Sequence, residues 1–361
     1  MSDTWLRAKL DNVFKASGDL DCILIANTGQ QDPNFTYMAD FSSGLFESSI
    51  LLLERKKATL FTYSLEYETA LRQAPKGMSV VNLNSKAKFE ELKKKVSGRK
   101  IGANLGFLPY LTYINIKKKL KPKSLVDVSR AFEKAREIKS KPEIDRIRKA
   151  ARRTKEAISE SHKHLKEGMT EKELAAIFES HALKLGCDGL SFSTIVCFGA
   201  NAALPHHSPD TTKLKKGDFV LMDVGVKVRN YCSDITRTII FGRDSRYAEK
   251  MRVLETVLSA QKNAIAAIKK GASGSSIHSI AQSYIDTAYG GKYKGTFIHA
   301  LGHSIGIDVH DGSRGFLSPR SDLKLQPGMI TSVEPGIYIP GFGGARVEDD
   351  IHVTDKGAII L

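Results

Sequence analysis

Acidic residues recur in this chain where strands tolerate them poorly. Asp223 follows the apolar run Phe219-Val-Leu-Met222, and Asp234 opens Asp234-Ile-Thr-Arg-Thr238, which continues into Ile239-Ile-Phe241. Lys227-Val-Arg-Asn230 between them reads as a tight turn. A hairpin closed there would set the two aspartates nearly opposite each other, with Cβ atoms ~5 Å apart. Glu334, in Thr331-Ser-Val-Glu334-Pro-Gly336, and Glu348, in Ala345-Arg-Val-Glu348-Asp-Asp350, repeat the arrangement around Pro340-Gly-Phe-Gly-Gly344. Aspartate is depleted in strands, and like charges opposed across a sheet destabilise it. Two such pairs on apolar hairpins point to cations held between carboxylates.

The four acids together carry about four negative charges, which two divalent ions balance and one does not. Mn²⁺, Co²⁺ and Zn²⁺ suit carboxylates joined by a little imidazole. The imidazole candidate is His303, in His299-Ala-Leu-Gly-His303-Ser-Ile-Gly306, a stretch that reads as strand. A histidine there usually packs into a core, but beside four acids the ligand reading prevails. Two metals ~3.5–4 Å apart lower the pKa of a shared water and polarise a carbonyl, an apparatus for amide hydrolysis. His206, in Leu204-Pro-His206-His207, and His310, in Asp308-Val-His310-Asp311, are the candidate donors and proton sources.

The elements that must position these residues fall into two groups. The first ~140 residues alternate strands and helices, which argues for a sheet covered by helices. Helices are expected at Trp5–Lys15, Leu65–Arg72 and Lys86–Val96, and strands at Cys22–Ile25, Ser49–Leu53, Ala58–Thr62, Ser79–Val81 and Lys100–Ala103. A boundary falls near Ile138–Pro142. Pro142 suits the first turn of a helix running to about Leu165, with Glu143 at its positive end. Thr170-Glu-Lys-Glu173 is a capping box opening a second helix that ends near Gly186. Two more helices are expected at Ser245–Ile268 and Ser275–Ala288. An acidic hairpin follows each helix pair, which suggests an internal duplication.

With 361 residues the chain is long for one domain, and two are expected. No apolar run approaches the ~20 residues of a membrane span, and Met1-Ser-Asp-Thr-Trp5 lacks the layout of a secretory signal, so a cytoplasmic protein is expected. The four cysteines have no C-x-x-C spacing and read as thiols of a reducing compartment. The formal charge of +15 comes from lysines spread over helices and turns with few aromatics among them. That is a solvated basic surface, and nucleic-acid binding is not expected.

The motifs resemble those of the pita-bread metallopeptidases: prolidase, aminopeptidase P, methionine aminopeptidase and the non-metal relative creatinase. Met222-Asp223-Val-Gly225, Ser233-Asp234-Ile-Thr-Arg-Thr238, Leu301-Gly-His303-Ser-Ile-Gly306 with Val309-His310, Val333-Glu334-Pro-Gly-Ile-Tyr338 and Arg346-Val-Glu348-Asp349 occur in that family's order. The resemblance implies a mixed α/β (α+β) protein. A creatinase-like α/β domain would span residues 1–138, and a pita-bread catalytic domain with pseudo-twofold halves residues 139–361. It implies that Asp223 holds one metal, that His303 and Glu334 hold the other, and that Asp234 and Glu348 bridge both. Glu334 would also help take the proton from the attacking water. His206 and His310 match pocket histidines that contact substrate and stabilise the intermediate. Arg346 falls where the family carries an arginine, on the substrate side and in support of the bridging acids.

The long N-terminal domain resembles that of prolidases and aminopeptidases P rather than methionine aminopeptidases. The compact length favours the prolidase branch, which implies cleavage of Xaa-Pro bonds in dipeptides or short peptides by a homodimer. Arg314 lies four residues beyond His310, where prolidases place an arginine for the dipeptide carboxylate; Arg320 is a rival. The family's His-Glu-x-Pro is here His310-Asp-Gly-Ser-Arg314, a change that bears on substrate preference. Aminopeptidase P, acting on longer Xaa-Pro-Xaa peptides, is the alternative. A non-catalytic binding module is a third reading, disfavoured because all five ligand residues are present. Gly302-His-Ser304-Ile-Gly306 also matches a serine-hydrolase elbow, but an elbow requires a helix after the serine, and Ile307-Asp-Val-His310 reads as strand.

Overall fold

The capping signal at Thr170 acts as read. In the computed structural model, which describes residues 3–29, 31–312 and 316–361, Thr170 Oγ1 accepts the Glu173 N–H at 3.2 Å. Glu173 Oε2 in turn accepts the Thr170 N–H at 2.7 Å, and the helix Glu171–Lys184 begins there. Pro142 sits in the first turn of the helix Lys141–His162. Glu143 does more than face the positive helix end: it accepts the Ser140 N–H at 2.8 Å and the Tyr231 hydroxyl at 2.6 Å. The second bond ties the helix start to the tip of the first acidic hairpin.

The chain divides into two compact units, Met1–Arg136 and Glu137–Leu361. Among the described residues the first carries a mixed sheet, in the order Met78–Asn82, Lys57–Thr62, Ile50–Glu54, Cys22–Ala26, Lys100–Ala103, Ser124–Asp127. Ile50–Glu54 and Lys57–Thr62 form an antiparallel hairpin. The core joins Leu24, Leu52, Phe61 and Ile101 of the sheet to Leu92 and Val96 of the helix Lys86–Val96, and to Ile116 and Leu120 of the helix Tyr110–Leu120. This last helix, with Pro33–Ala39, Ser124–Asp127 and Ser129–Glu137, was not foreseen. The segment Tyr110-Leu-Thr-Tyr-Ile-Asn-Ile116 is rich in residues that favour strands, and burial of one face on the core overrides that preference.

The second unit repeats a helix pair followed by a bent hairpin. Lys141–His162 and Glu171–Lys184 precede the first, and Tyr247–Ala267 and Gly274–Gly291 precede the second. The core packs Val253, Val257 and Ala260 with Ile277, Ala281 and Ile285 of the latter pair against Phe219, Leu221, Val333, Ile337 and Ile351 of the hairpins.

Both hairpins break their ladders, the first at Asp234 and the second at Glu334 and Glu348. In the first, Phe219–Val224 pairs with Ile235–Ile240, and Val226–Val228 pairs with Tyr231–Cys232 around Arg229 and Asn230. Those two residues have φ of 49° and 69°, the positive values a two-residue type I′ turn requires. The register sets Thr236, not Asp234, opposite Asp223. Asp234 is therefore a diagonal neighbour of Asp223, a correction to the near-opposite pairing expected from sequence. In the second, Val333 pairs with Asp349 and Gly336 with Arg346, so the same register sets Glu334 opposite Glu348. Pro335, which has no N–H, lies in that break. No helix among the described residues is long and apolar enough to cross a membrane.

Candidate metal centre

Asp223, Asp234, Glu334 and Glu348 line one cavity of about 1200 Å³, together with His206, His303, His310 and Arg346. Asp223 is brought there by its strand, and the other three acids by the hairpin breaks. Donor atoms of Asp234, His303 and Glu348 lie within 4.8 Å of one another. His303 Nε2 is 3.5 Å from Asp234 Oδ2 and 3.3 Å from Glu334 Oε1. Protein donors hold one oxygen on several acids: Glu348 Oε2 accepts the Thr236 hydroxyl at 2.7 Å, and Glu334 Oε1 accepts the Ser332 hydroxyl at 3.1 Å. The remaining oxygens Asp223 Oδ1, Asp234 Oδ1 and Glu348 Oε1 are buried, and no donor among the described residues reaches them.

Burial raises the carboxyls of Asp234 and Glu348 well above the usual carboxylate range, and their acidic neighbours push them further. A carboxyl in that state must hold a proton or face a cation, because an unpaired buried charge is costly by several kcal/mol. Three orphaned oxygens on one wall, with an imidazole nitrogen among them, fit divalent cations.

Two features of this wall escaped sequence reasoning. Asp350 is fully buried behind Asp234, and its Oδ2 accepts the Asp234 N–H at 3.2 Å. Burial, with Asp349 nearby, pushes its carboxyl up to about 8. The second feature is a chain of hydrogen bonds ending on Asp223. Arg346 is buried, donates to Asp223 Oδ2, and donates to the Tyr338 hydroxyl at 2.7 Å. Burial opposes its charge, yet Tyr338 and the surrounding acids hold it firmly protonated. The Tyr338 hydroxyl lies 2.8 Å from His299 Nε2, and His299 Nδ1 lies 2.8 Å from the Ala300 carbonyl. One consistent assignment follows: His299 is neutral with its proton on Nδ1, and Nε2 accepts from tyrosine. Burial lowers the His299 pKa, and it raises that of Tyr338 to about 12. The available signals were spacing: His299 stands four residues before His303, and Tyr338 four after Glu334.

His303 lies between two isolated bridges, Gly302 to Leu317 and Ser304 to Thr331, rather than in the strand expected. Its glycines serve close packing. A Cβ on Gly302 would collide with the Ser332 carbonyl, and one on Gly306 with the Asp311 carboxylate. Ser304 is buried, accepts from Lys139 Nζ at 3.0 Å and has no helix after it, so no nucleophile elbow exists. The His310 ring centroid is 4.1 Å from that of His303, and both His206 and His310 are exposed at the cavity. Asp311, which stands where the family carries glutamate, is buried with Oδ2 3.4 Å from Lys139 Nζ. It therefore faces inward, toward Lys139. Arg314 lies outside the described residues. The rival Arg320 is exposed and is not among the residues that line the cavity.

The chain matches metallopeptidase family M24 over residues 145–355 and the Creatinase/Prolidase N-terminal domain over residues 7–138. It is 34% identical over 345 residues to the Xaa-Pro dipeptidase of Pyrococcus horikoshii, covering 96% of this chain and 93% of that protein. The solved Xaa-Pro dipeptidase from Bacillus anthracis superposes with a TM-score of 0.87 at 32% identity, over 99% of this chain and 97% of that one. The X-Pro aminopeptidase from Thermotoga maritima superposes with a TM-score of 0.85 at 30% identity, over 94% and 95%.

Proposed function

The chain belongs to metallopeptidase family M24, and from that premise we propose that it hydrolyses Xaa-Pro bonds, in dipeptides above longer peptides, at a site for two divalent metals. The observation that carries this reading is the row of buried oxygens on Asp223, Asp234 and Glu348, without a donor among the described residues, beside His303 on the wall of one cavity. Asp223, Asp234, His303, Glu334 and Glu348 are the residues that would hold the ions. Oxygen ligands with one imidazole suit Mn²⁺ or Co²⁺, with Zn²⁺ a further candidate. Bound there, such cations polarise a carbonyl oxygen and lower the pKa of a water.

The rest of the chemistry falls to the protein. Glu334, steadied by Ser332, takes a proton from the attacking water. His206 and His310 at the cavity contact the substrate carbonyl and return a proton to the departing proline nitrogen. Arg346, anchored on Tyr338 and Asp223, keeps the acidic wall in place from the substrate side. An Xaa-Pro bond has no N–H, so a peptidase that grips the carbonyl and the α-amino end suits it. An extended site admits the trans isomer alone. By the resemblance, Arg314 would pair with the free carboxylate of a dipeptide. The catalytic domain is taken as residues 139–361, and a cytoplasmic homodimer completes the reading. The four free, buried cysteines suit a reducing compartment.

Proline release from Met-Pro and cleavage of Met-Pro-Ala test the substrate assignment. The dipeptide is expected to be the better substrate, and cleavage of the tripeptide alone would move the chain to the aminopeptidase branch. Arg314→Ala should raise KM for the dipeptide with little change in kcat. An unchanged dipeptide KM would remove the carboxylate clamp.

A further inference from the structure

Glu171 is the first residue of the helix Glu171–Lys184, and its side chain is completely buried. Its two oxygens collect four donors. Oε1 accepts the Phe198 N–H at 2.7 Å and Asn201 Nδ2 at 2.9 Å. Oε2 accepts the Asp210 N–H at 3.0 Å and meets His207 Nε2 at 2.7 Å. A carboxylate so surrounded accepts only, so His207 Nε2 carries a proton. Donor atoms of Glu171, His207 and Asp210 lie within 4.8 Å of one another, close enough for a cation. The protein's own N–H groups already occupy the Glu171 oxygens, however, and the protonated Nε2 has no lone pair to give. The cluster is a latch rather than a metal site.

What it latches is residues 198–210, the segment that carries His206. His206 is exposed at the cavity, so its own packing does little to fix it. Its place is set by a segment held on both sides: the Phe198 N–H and the Asn201 side chain before it, the His207 side chain and the Asp210 N–H after it. Hydrogen bonds to a charged acceptor are roughly twice as strong as neutral ones. A misplacement of about 1 Å in a reacting group can cost roughly 10²-fold in rate.

We propose that Glu171 is the positioning residue for His206, and that substrate contacts made by His206 depend on the Glu171–His207 hydrogen bond. The proposal rests on the reading of His206 as a pocket residue that meets substrate. It is tested in the full-length protein with E171Q, H206A and the double variant, assayed on Met-Pro, with histidine ¹⁵N spectra recorded on metal-free protein. E171Q is expected to keep the wild-type metal content, to lose the slowly exchanging His207 Nε2–H signal, and to lower kcat/KM by about tenfold or more. In the H206A background it should cause no further loss. Multiplicative losses, or unchanged kcat/KM in E171Q, would overturn the proposal. Unchanged kcat/KM in H206A alone would instead overturn the reading of His206, and the proposal with it. If E171Q does not fold, H207A and H207Q enter the same cycle. H207Q, which keeps a donor toward Glu171, should retain most of the activity that H207A loses, and equal losses would count against the latch.

Discussion

Glu348 is 1% exposed, with one oxygen on the Thr236 hydroxyl and the other without a donor among the described residues. Replacing it by glutamine keeps an acceptor for Thr236 and removes a charge that its neighbours oppose. Glu348→Gln is therefore expected to raise the unfolding midpoint of metal-free protein, shrink the rise in midpoint on adding Mn²⁺, and cut kcat/KM by about 10³-fold or more. A lower midpoint in the metal-free variant would show that the acids are not in conflict. Asp223 was legible in the sequence as a charge in an apolar run, and Asp234, Glu334 and Glu348 as acids that face it or each other across readable turns. Asp350 was not, since nothing local separates it from Asp349. The latter pairs with Arg237 at 2.7 Å and Lys155 at 2.9 Å, whereas Asp350 turns inward onto the Asp234 N–H. The diagonal offset of Asp223 and Asp234 was hidden for a similar reason. It depends on a turn at Arg229–Asn230, where neither residue is glycine.

At the scale of elements, the segments holding His303 and His310 are joined by a buried pair. Lys139 Nζ lies 3.4 Å from Asp311 Oδ2 and donates to Ser304 Oγ at 3.0 Å, with side chains 1% and 2% exposed. Removing one partner leaves a buried charge, so Lys139→Met should destabilise the protein by about 3–5 kcal/mol. Lys139→Met with Asp311→Leu should recover much of that loss. Denaturant unfolding of both variants checks this, and a double variant no more stable than the single one would contradict it. Elements with signals in their own residues were read closely, as at the Thr170 capping box and the helix Lys86–Val96. Tyr110–Leu120 went unread because its helical state comes from Ile116 and Leu120 docking on a core assembled from distant strands. The isolated bridges around His303 likewise depend on Leu317 and Thr331, which no local pattern connects to it.

For the whole molecule, the buried acids link metal, pH and stability. The Asp350 carboxyl has a folded-state pKa of about 8 against an ordinary value of 3.8. Between those values the folded protein binds more protons than the unfolded chain, so stability falls as pH rises. Asp234 and Glu348, also raised, act in the same direction. Below about pH 7 the buried histidines His162, His278, His299 and His352, whose pKa values burial lowers, act in the opposite direction. Metal-free protein should thus melt at progressively lower temperature from about pH 7 to about pH 8, and saturating Mn²⁺ should flatten that slope. A metal-free midpoint that rises over this range would contradict the assignment. The most direct measurement of the central claim, that cations hold these acids together, is a calorimetric titration of metal-free protein with Mn²⁺, run beside Glu348→Gln. The expected result is about two ions bound per wild-type chain, with tight binding lost in the variant. No binding to the wild type, or equal binding by both, would contradict it.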